Sequence, residues 1–351
     1  MTLAALLRHL AFAAGIALIS ALVVRAMINA RVMDMPNHRS AHAAPTPRGG
    51  GVGIVVGFLL GISVLYGFAT FSRLADPYFR GVIMASIAIA VVGFIDDLRD
   101  WPFTVKLAAQ VAAALAAVGS GLYVEAFHAP LIGTIDIGWP AGAAITVAWI
   151  LFATNAMNFI DGLNGLAAGT ALVASVFLAG IGAAQGGWFV YFAALLLAAG
   201  ITGFLPFNFP RAQIFMGDVG SQFCGFVLAV LGVAASRFDK VDLSFLLVPM
   251  LLSGVLYDVT YTLARRALAG ERLTEAHRGH LYQVAQRSGM DARLVALAHW
   301  GFAGLGGLAC LAFIAAPPPL KPVLPIALLL PQLAWTLFVA ARARQAGIGR
   351  W

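Results

Sequence analysis

The stretch WFVYFAALLLAAGITGFLPF, residues 188–207, carries no charged side chain over twenty consecutive positions. A helix needs about 20 apolar residues to cross the ~30 Å hydrocarbon core of a bilayer. This stretch therefore predicts a membrane-spanning helix, and blocks of the same kind recur along the whole chain. They indicate spanning helices rather than a barrel.

Scanning for such blocks gives eleven candidate spans, bounded by polar residues or by Gly and Pro. They lie near residues 3–28, 51–71, 80–95, 103–127, 138–157, 162–184, 188–207, 219–235, 243–265, 294–316 and 322–341. Over the 351 residues, 61% are hydrophobic and only 11% are charged, which excludes an ordinary soluble protein. We predict an all-α, polytopic membrane bundle of about 10–11 transmembrane helices, forming a single domain over residues 1–351.

The first apolar block runs from about Thr2 to Ile28, with only Arg8 and His9 breaking it. It is longer than the core of a signal peptide, so we expect it to remain as the first span. Both cysteines, Cys224 and Cys310, lie inside apolar blocks, where we expect them to pack as thiols.

The charge distribution predicts the orientation. The chain has 22 Lys and Arg against 15 Asp and Glu, an excess that in a soluble protein would suggest nucleic acid as a partner; here we expect none. If the loops alternate sides, one side holds six basic residues, Arg8, Arg73, Arg80, Arg237, Lys240 and Lys321, and the other holds the remaining sixteen. The positive-inside rule makes the richer side cytoplasmic. The N-terminus is then outside and the C-terminal tail inside.

The unusual polar segments all fall on that predicted cytoplasmic side. They are residues 29–50, 96–106, 155–164, 208–221 and 266–293. The loops on the opposite side are short and chemically plain. One assembled site that faces the cytoplasm accounts for this better than scattered structural polar residues.

The segment GFIDDLRD, residues 93–100, ends one of the spans. If the helix continues, Asp96, Asp97 and Asp100 crowd one another within one turn. Like charges this close to lipid need a cation, and hard oxygen ligands suit Mg²⁺. The alternative is a solvated helix end whose carboxylates pair with a neighbouring basic residue such as Lys106.

The segment NAMNFIDGLNG, residues 155–165, places Asn155, Asn158 and Asp161 three residues apart, with Asn164 after a glycine. Along one helical face, these groups can read a nucleotide base or ribose, or orient a metal-bound diphosphate. The alternative is that they cap helix ends, which is a common role of Asn and Asp.

The segment IFMGDVGS, residues 214–221, precedes another span. Asp218 could cap that helix, while Gly217 and Gly220 would let a phosphate approach backbone N–H groups. The pattern gains weight from lying on the same side as the Asp96–Asp97 pair.

Two further loops are rich in cations. His277, Arg278 and His280 could bind an anionic diphosphate, or belong to a basic loop that serves only orientation and lipid headgroups. The loop that contains His42 and Arg48 is dense in Pro and Gly as well, and it predicts either anion binding or a tight turn between spans.

Taken in order, these five segments resemble the polyprenyl-phosphate N-acetylhexosamine-1-phosphate transferase family, glycosyltransferase family 4. The resemblance covers roughly residues 34 to 283 and rests on five motifs: DMPNHRSAHAAPTPRGG at 34–50, DDLRD at 96–100 with Lys106 following, NAMNFIDG at 155–162, FMGDVGS at 215–221 and HRGH at 277–280. One residue departs from the family, since Asn164 stands where a second aspartate is common. The run HRGHLYQ is more similar to the O-antigen-initiating branch than to the peptidoglycan branch.

The resemblance implies a reaction and its participants. A polyprenyl phosphate oxygen attacks the β-phosphorus of a UDP-N-acetylhexosamine, UMP leaves, and a polyprenyl diphosphate sugar remains in the membrane, as the first membrane step of O-antigen or another envelope polysaccharide. Catalysis would consist mainly of charge neutralisation and positioning. The implied location is the bacterial inner membrane, with a cytoplasmic site; a homodimer is left open.

The resemblance also implies roles for single residues. Asp97 and Asp218 would bind Mg²⁺, with Mn²⁺ as the alternative ion, and Asp96 would deprotonate or orient the lipid phosphate. The nucleotide would be contacted by Asn155, Asn158, Asp161 and Asn164. The phosphates or the sugar would be contacted by Lys106, Arg48, His42, His277, Arg278 and His280.

Three other functions remain as alternatives. The first is the phospho-MurNAc-pentapeptide transferase of peptidoglycan synthesis. A transporter or channel would place acids near mid-span or on both faces, whereas the acidic motifs here gather at one. A CDP-alcohol phosphatidyltransferase would show its own D-x-x-D-G…D-x-x-D array, which the sequence lacks.

Overall fold

The computed structural model describes residues 2–35, 44–68, 77–129, 133–236, 243–273, 275, 277–349 and 351. Within these residues the chain forms the following α-helices: α1 Leu3–Ala30, α2 Gly51–Phe68, α3 Pro77–Arg99, α4 Phe103–Gly119, α5 Gly138–Phe159, α6 Leu166–Gln185, α7 Trp188–Asn208, α8 Asp218–Ala235, α9 Leu247–Leu251, α10 Ser253–Leu268, α11 Leu281–Arg287, α12 Ala292–Ala315, α13 Val323–Ala327 and α14 Leu329–Gln345.

Strands occur only as two short antiparallel pairs among the described residues. Met33–Asp34 (β1) pairs with Thr46–Pro47 (β2), and Ala126–Ala129 (β3) pairs with Gly133–Asp136 (β4). Both pairs lie in segments that connect helices, so the helical prediction stands.

Each predicted span contains a helix, but the predicted span 103–127 is too long, because α4 ends at Gly119 and Ala126–Ala129 form β3. Eight helical segments of the described chain are long and apolar enough to cross a bilayer: Leu3–Ala30, Arg80–Arg99, Gly138–Phe159, Leu166–Gln185, Trp188–Asn208, Asp218–Ala235, Ala292–Ala315 and Pro318–Gln345. The apolar helices Gly51–Gly67 and Phe103–Gly119 are shorter. The consecutive helices α9 and α10 occupy the remaining predicted span. A polytopic helical membrane fold is confirmed.

Helix α8 lies at the centre of the bundle, packed against α2, α3, α5 and α7. Nearly all of its side chains are buried. Close packing at its first turn depends on Gly93 of α3, because a Cβ atom there would lie 2.8 Å from the backbone carbonyl carbon of Asp218. Small residues allow helix backbones to approach in this way within membranes. The ends of α3 and α8 are thereby brought together.

Both cysteines are buried free thiols, as predicted. The prediction for the end of α3 needs one correction. The helix stops at Arg99, and Asp100 adopts a left-handed conformation, with φ of 48°. This turns the Asp100 side chain away from Asp96 and Asp97 and leaves it 87% exposed, so that only two of the three aspartates share a site.

Candidate active site

The first turn of α8 is held by a side chain from another helix. Asp97, buried near the end of α3, accepts hydrogen bonds from the backbone N–H groups of Asp218 (3.0 Å) and Val219 (3.2 Å). These N–H groups have no partner within their own helix, and a carboxylate is the acceptor that best complements a helix N-terminus. Gly217 is required beside it, because a Cβ there would collide with the Asp97 carboxylate. Asp97, and not Asp218, caps α8.

Asp218 is consequently free to bind side chains. Its Oδ1 accepts a hydrogen bond from Asn158 Nδ2 at 3.0 Å, and its Oδ2 accepts one from Gln222 Nε2 at 2.9 Å. The ammonium group of Lys106 lies 3.5 Å from the same Oδ2. Donors from three helices therefore converge on this one carboxylate.

Lys106 also joins Asp218 to Asp96. Its Nζ lies 2.9 Å from Asp96 Oδ2, while Asp96 Oδ1 accepts a hydrogen bond from Trp101 N at 2.7 Å. One ammonium thus lies between two carboxylates that would otherwise repel each other. The plainer alternative for this segment was a pairing of Asp97 or Asp100 with Arg99 or Lys106, whereas the structure pairs Lys106 with Asp96 and Asp218.

A cavity of about 450 Å³ opens beside these groups. Seven residues that the sequence singles out line it: Arg48, Asp97, Asn158, Asp161, Asn164, Asp218 and Arg278. Asp34, Asn208, Gln283 and Gln286 add polar lining that sequence reasoning did not assign. The cavity combines carboxylates, amides and guanidinium groups, which is the chemistry that a charged polar ligand requires.

Asp161 lines this cavity, and no ion pair to it is found among the described residues. No hydrogen bond to its side chain is found among the described residues. Burial, together with repulsion from Asp218 and Asp97, raises the pKa of Asp161 well above its usual range. A cation bound in the cavity would relieve that repulsion.

Arg48 reaches the cavity from the segment before α2. That segment pairs with the residues before α8: Gly50 N donates to Phe215 O and Gly51 N to Met216 O, both at 2.9 Å. The guanidinium lies 3.6 Å from Asp100, an exposed partner. Two of the predicted motifs are therefore joined directly through their backbones.

Several predicted residues lie elsewhere. Asp96 and Lys106 adjoin Asp218 without lining the cavity. Asn155 lies deeper in the bundle, where it donates to Gln110 Oε1 at 2.6 Å. His42 lies outside the described residues.

The imidazole rings of His277 and His280 stack on each other, with ring centroids 4.9 Å apart. Burial, His280, Arg266 and Arg265 together lower the pKa of His277 to about 4. Neither ring lines the cavity, whereas Arg278 between them does.

Asp258 in α10 organises this histidine segment, and sequence reasoning missed it. It is almost fully buried and accepts hydrogen bonds from the His280 ring (Nδ1, 3.0 Å), Leu281 N (3.0 Å) and Tyr282 N (3.1 Å). Tyr282 in turn donates to Phe159 O at 2.9 Å. The available signal was a single carboxylate inside an apolar span, which is costly unless it is paired.

Gln110 and Gln222 were also missed. Both are buried in spans, and they hydrogen-bond to each other between Asn155 and Asp218. Each is a polar residue among apolar neighbours, which is again the signal that could have marked them.

Comparison with known proteins agrees with the motifs. Residues 79–236 match glycosyl transferase family 4. The chain is 31% identical over 282 residues to a probable undecaprenyl-phosphate N-acetylglucosaminyl 1-phosphate transferase of Bacillus subtilis, covering 80% of this chain and 76% of that protein. It is 32% identical over 294 residues to the decaprenyl-phosphate N-acetylglucosaminephosphotransferase of Mycobacterium tuberculosis, covering 77% and 72%.

A third relative is the undecaprenyl-phosphate alpha-N-acetylglucosaminyl 1-phosphate transferase of Thermotoga maritima, 29% identical over 258 residues, which cover 73% of each chain. The matched family region contains four residues that lie together around the N-terminus of α8: Asp96, Asp97, Asn158 and Asp218. As its ordered motifs predict, this chain belongs to glycosyl transferase family 4.

Proposed function

We propose that this protein transfers N-acetylglucosamine-1-phosphate from UDP-N-acetylglucosamine to a polyprenyl phosphate. The observation that carries the proposal is the convergence of Asp97, Asp161 and Asp218 on one cavity that Arg48 and Arg278 also line. In this reaction a phosphate oxygen of the lipid forms a bond to the β-phosphorus, and the bond from that phosphorus to UMP breaks. The names of the relatives support the choice of sugar and acceptor.

The acidic side chains fit a hard divalent cation. Mg²⁺ in proteins usually keeps several waters and takes one or two carboxylates together with substrate phosphates. We assign Asp97 and Asp218 as its protein ligands, with Mn²⁺ as the alternative ion. Both Asp97 oxygens and Asp218 Oδ1 each accept one hydrogen bond and keep a second lone pair for a cation, whereas Asp218 Oδ2 already contacts Gln222 and Lys106. The cation, when bound, would neutralise diphosphate charge.

No ready-made cluster of three His, Cys, Asp or Glu side chains with metal-binding geometry occurs in the part of the chain that the structure describes. This agrees with a site that is completed by substrate oxygens. In such a site, phosphate and metal binding would depend on each other.

The other residues bind and orient the substrates. Asn158, Asp161 and Asn164 are assigned to the nucleotide, and Arg48 and Arg278 to the diphosphate or sugar, because all five line the cavity. Asp96 is assigned to orienting the lipid phosphate. Its carboxylate is held by Trp101 N and by Lys106, so that its position is fixed before the substrate arrives.

We further propose that the site faces the cytoplasm of a bacterial inner membrane. The segments that form it lie on the side with sixteen of the 22 basic residues, which is the cytoplasmic side by the positive-inside rule. The lipid-linked sugar would then start an O-antigen or another envelope polysaccharide.

The test is a purified-protein assay with undecaprenyl phosphate, Mg²⁺ and a panel of UDP-sugars, including UDP-MurNAc-pentapeptide. With UDP-N-acetylglucosamine labelled in the β-phosphate, the label should move into the lipid product and the nucleotide released should be UMP. Release of UDP would contradict the mechanism. Turnover of the pentapeptide substrate alone would transfer the assignment to the peptidoglycan branch.

A further inference from the structure

A row of three amide side chains, two buried and one half-buried, runs between helices and ends on Asp218. Asn155 in α5 donates from Nδ2 to Gln110 Oε1 in α4 at 2.6 Å, and Gln110 donates from Nε2 to Gln222 Oε1 in α8 at 3.0 Å. Gln222 then donates from Nε2 to Asp218 Oδ2 at 2.9 Å. Three helices thus contribute to one continuous chain of hydrogen bonds.

Burying the amides of this row costs free energy. Gln110 and Gln222 are 3% and 1% exposed, inside helices that are otherwise apolar. A buried amide loses several hydrogen bonds with water and regains only those that the protein supplies. Apolar side chains of similar volume would pack there without that cost. Polar groups retained at such depth are usually functional.

The hydrogen bonds of this row all run in one direction, from Asn155 toward Asp218. The Asn155 end sets that direction. Besides Gln110, Asn155 Nδ2 donates to the backbone carbonyl of Leu151 at 2.8 Å, and a carbonyl can only accept. Asn155 must therefore present its NH₂ group to Gln110, which must offer its oxygen there and its own NH₂ to Gln222. Gln222 is left with its NH₂ group facing Asp218. Amides aligned in this way also polarise one another.

The opposite side of the carboxylate is held independently. Asn158 donates to Asp218 Oδ1, while Gln222 and Lys106 contact Oδ2. A rotation of the Asp218 carboxylate would break contacts on both oxygens at once. Its orientation toward the cavity is therefore set before any ligand binds.

We propose that Asn155, Gln110 and Gln222 are positioning residues that fix the orientation of the Asp218 carboxylate. Asn155 then acts on turnover through this row, and not through contact with the nucleotide. The inference rests on the proposed function, since it assigns a purpose to the orientation of Asp218 in that reaction.

The test uses Gln222→Met, Gln110→Met and Asn155→Ala in the full-length protein, with UMP release as the assay. We expect Gln222→Met to lower kcat by roughly tenfold, the scale of a lost hydrogen bond to a charged group. Asn155→Ala and Gln110→Met should lower kcat by less. The KM for UDP-N-acetylglucosamine should stay within about twofold in all three, because no nucleotide contact is lost.

A double variant decides whether the residues act as one row. Asn155→Ala combined with Gln222→Met should have nearly the kcat of Gln222→Met alone, since the row is already interrupted. Gln332→Met is the matched control. Gln332 is equally buried, in α14, but its Nε2 has no hydrogen-bond partner among the described residues, so kcat should be unchanged.

Two results would overturn the inference. One is a raised KM with normal kcat in Asn155→Ala, the behaviour of a nucleotide contact. The other is a double variant whose loss equals the product of the two single losses, which indicates independent roles. If the wild-type protein releases UDP, the proposed function fails separately, and the kcat of that reaction becomes the quantity compared among the variants.

Discussion

The carboxylate of Asp97 closes the N-terminus of the helix that begins with Asp218, although 121 positions separate the two residues in sequence. Capping by a distant helix leaves the Asp218 side chain free to face the cavity. Asp97 therefore caps the helix and Asp218 faces the cavity, and substitutions can test these two roles separately.

Asp218→Asn should fold and enter the membrane normally while turnover falls by at least ~10²-fold. The helix cap is unaffected, because Asp97 supplies it, but the amide removes a preorganised charge at the reacting phosphates. The measurement is kcat for UMP release across a Mg²⁺ titration, with elution from gel filtration in detergent as the check on folding.

The matched control for that exchange is Asp291→Asn. Asp291 caps α12 and accepts a hydrogen bond from Arg293 N at 2.8 Å; it is exposed and does not itself line the cavity, although its neighbour Ala292 does. Asn caps about as well as Asp, so activity should be retained. Near-normal turnover in Asp218→Asn as well would remove the metal assignment.

Asp258→Asn should destabilise the protein by about 2–3 kcal/mol, the cost of leaving buried donors without an acceptor. The two backbone N–H groups at Leu281 and Tyr282 and the His280 ring all depend on this carboxylate. A lower thermal unfolding midpoint in detergent would register the loss. Asp136→Asn, at an exposed aspartate, should leave the midpoint unchanged, and equal midpoints for both variants would contradict the role of Asp258.

His277 should make the protein less stable as the pH falls from about 6.5 to about 4. Its pKa is about 4 in the folded protein and near 6.5 in the unfolded chain, so within this window the unfolded state binds the extra proton. The stability difference between His277→Gln and the wild type should therefore shift in favour of the variant as the pH is lowered through this window. Unfolding midpoints of both proteins at several pH values test this; parallel profiles would contradict it.

The side of the membrane on which each loop lies can be determined by labelling single cysteines introduced at Arg99, Arg272 and Asp136. All three positions are exposed, and the native Cys224 and Cys310 are buried. Arg99 and Arg272 should react with an impermeant maleimide only from the cytoplasm, and Asp136 only from the periplasm. The reverse pattern would invert the proposed orientation.

Much of this architecture follows from sequence alone, because spans are set by local composition. A run such as residues 188–207 must be helical in lipid, where every backbone polar group needs an internal partner. The order of the five motifs likewise predicts the family. Asn158, Asp161 and Asp218, which the sequence singled out because polar residues at one end of apolar spans have few structural reasons to be there, line one cavity in the structure.

Only the tertiary structure determines which partner each of those residues contacts. Asn155 and Asn158 lie one helical turn apart in α5, yet one meets Gln110 and the other meets Asp218. Helical spacing places both on similar faces, but only the packing of α4 and α8 determines which partner each one meets. Asp97 caps α8, and Asp258 accepts hydrogen bonds from the histidine segment. Both are likewise contacts between elements that are distant in sequence. The sequence determines which polar groups need hydrogen-bond partners in the membrane interior. The packing of the helices determines which partners they have.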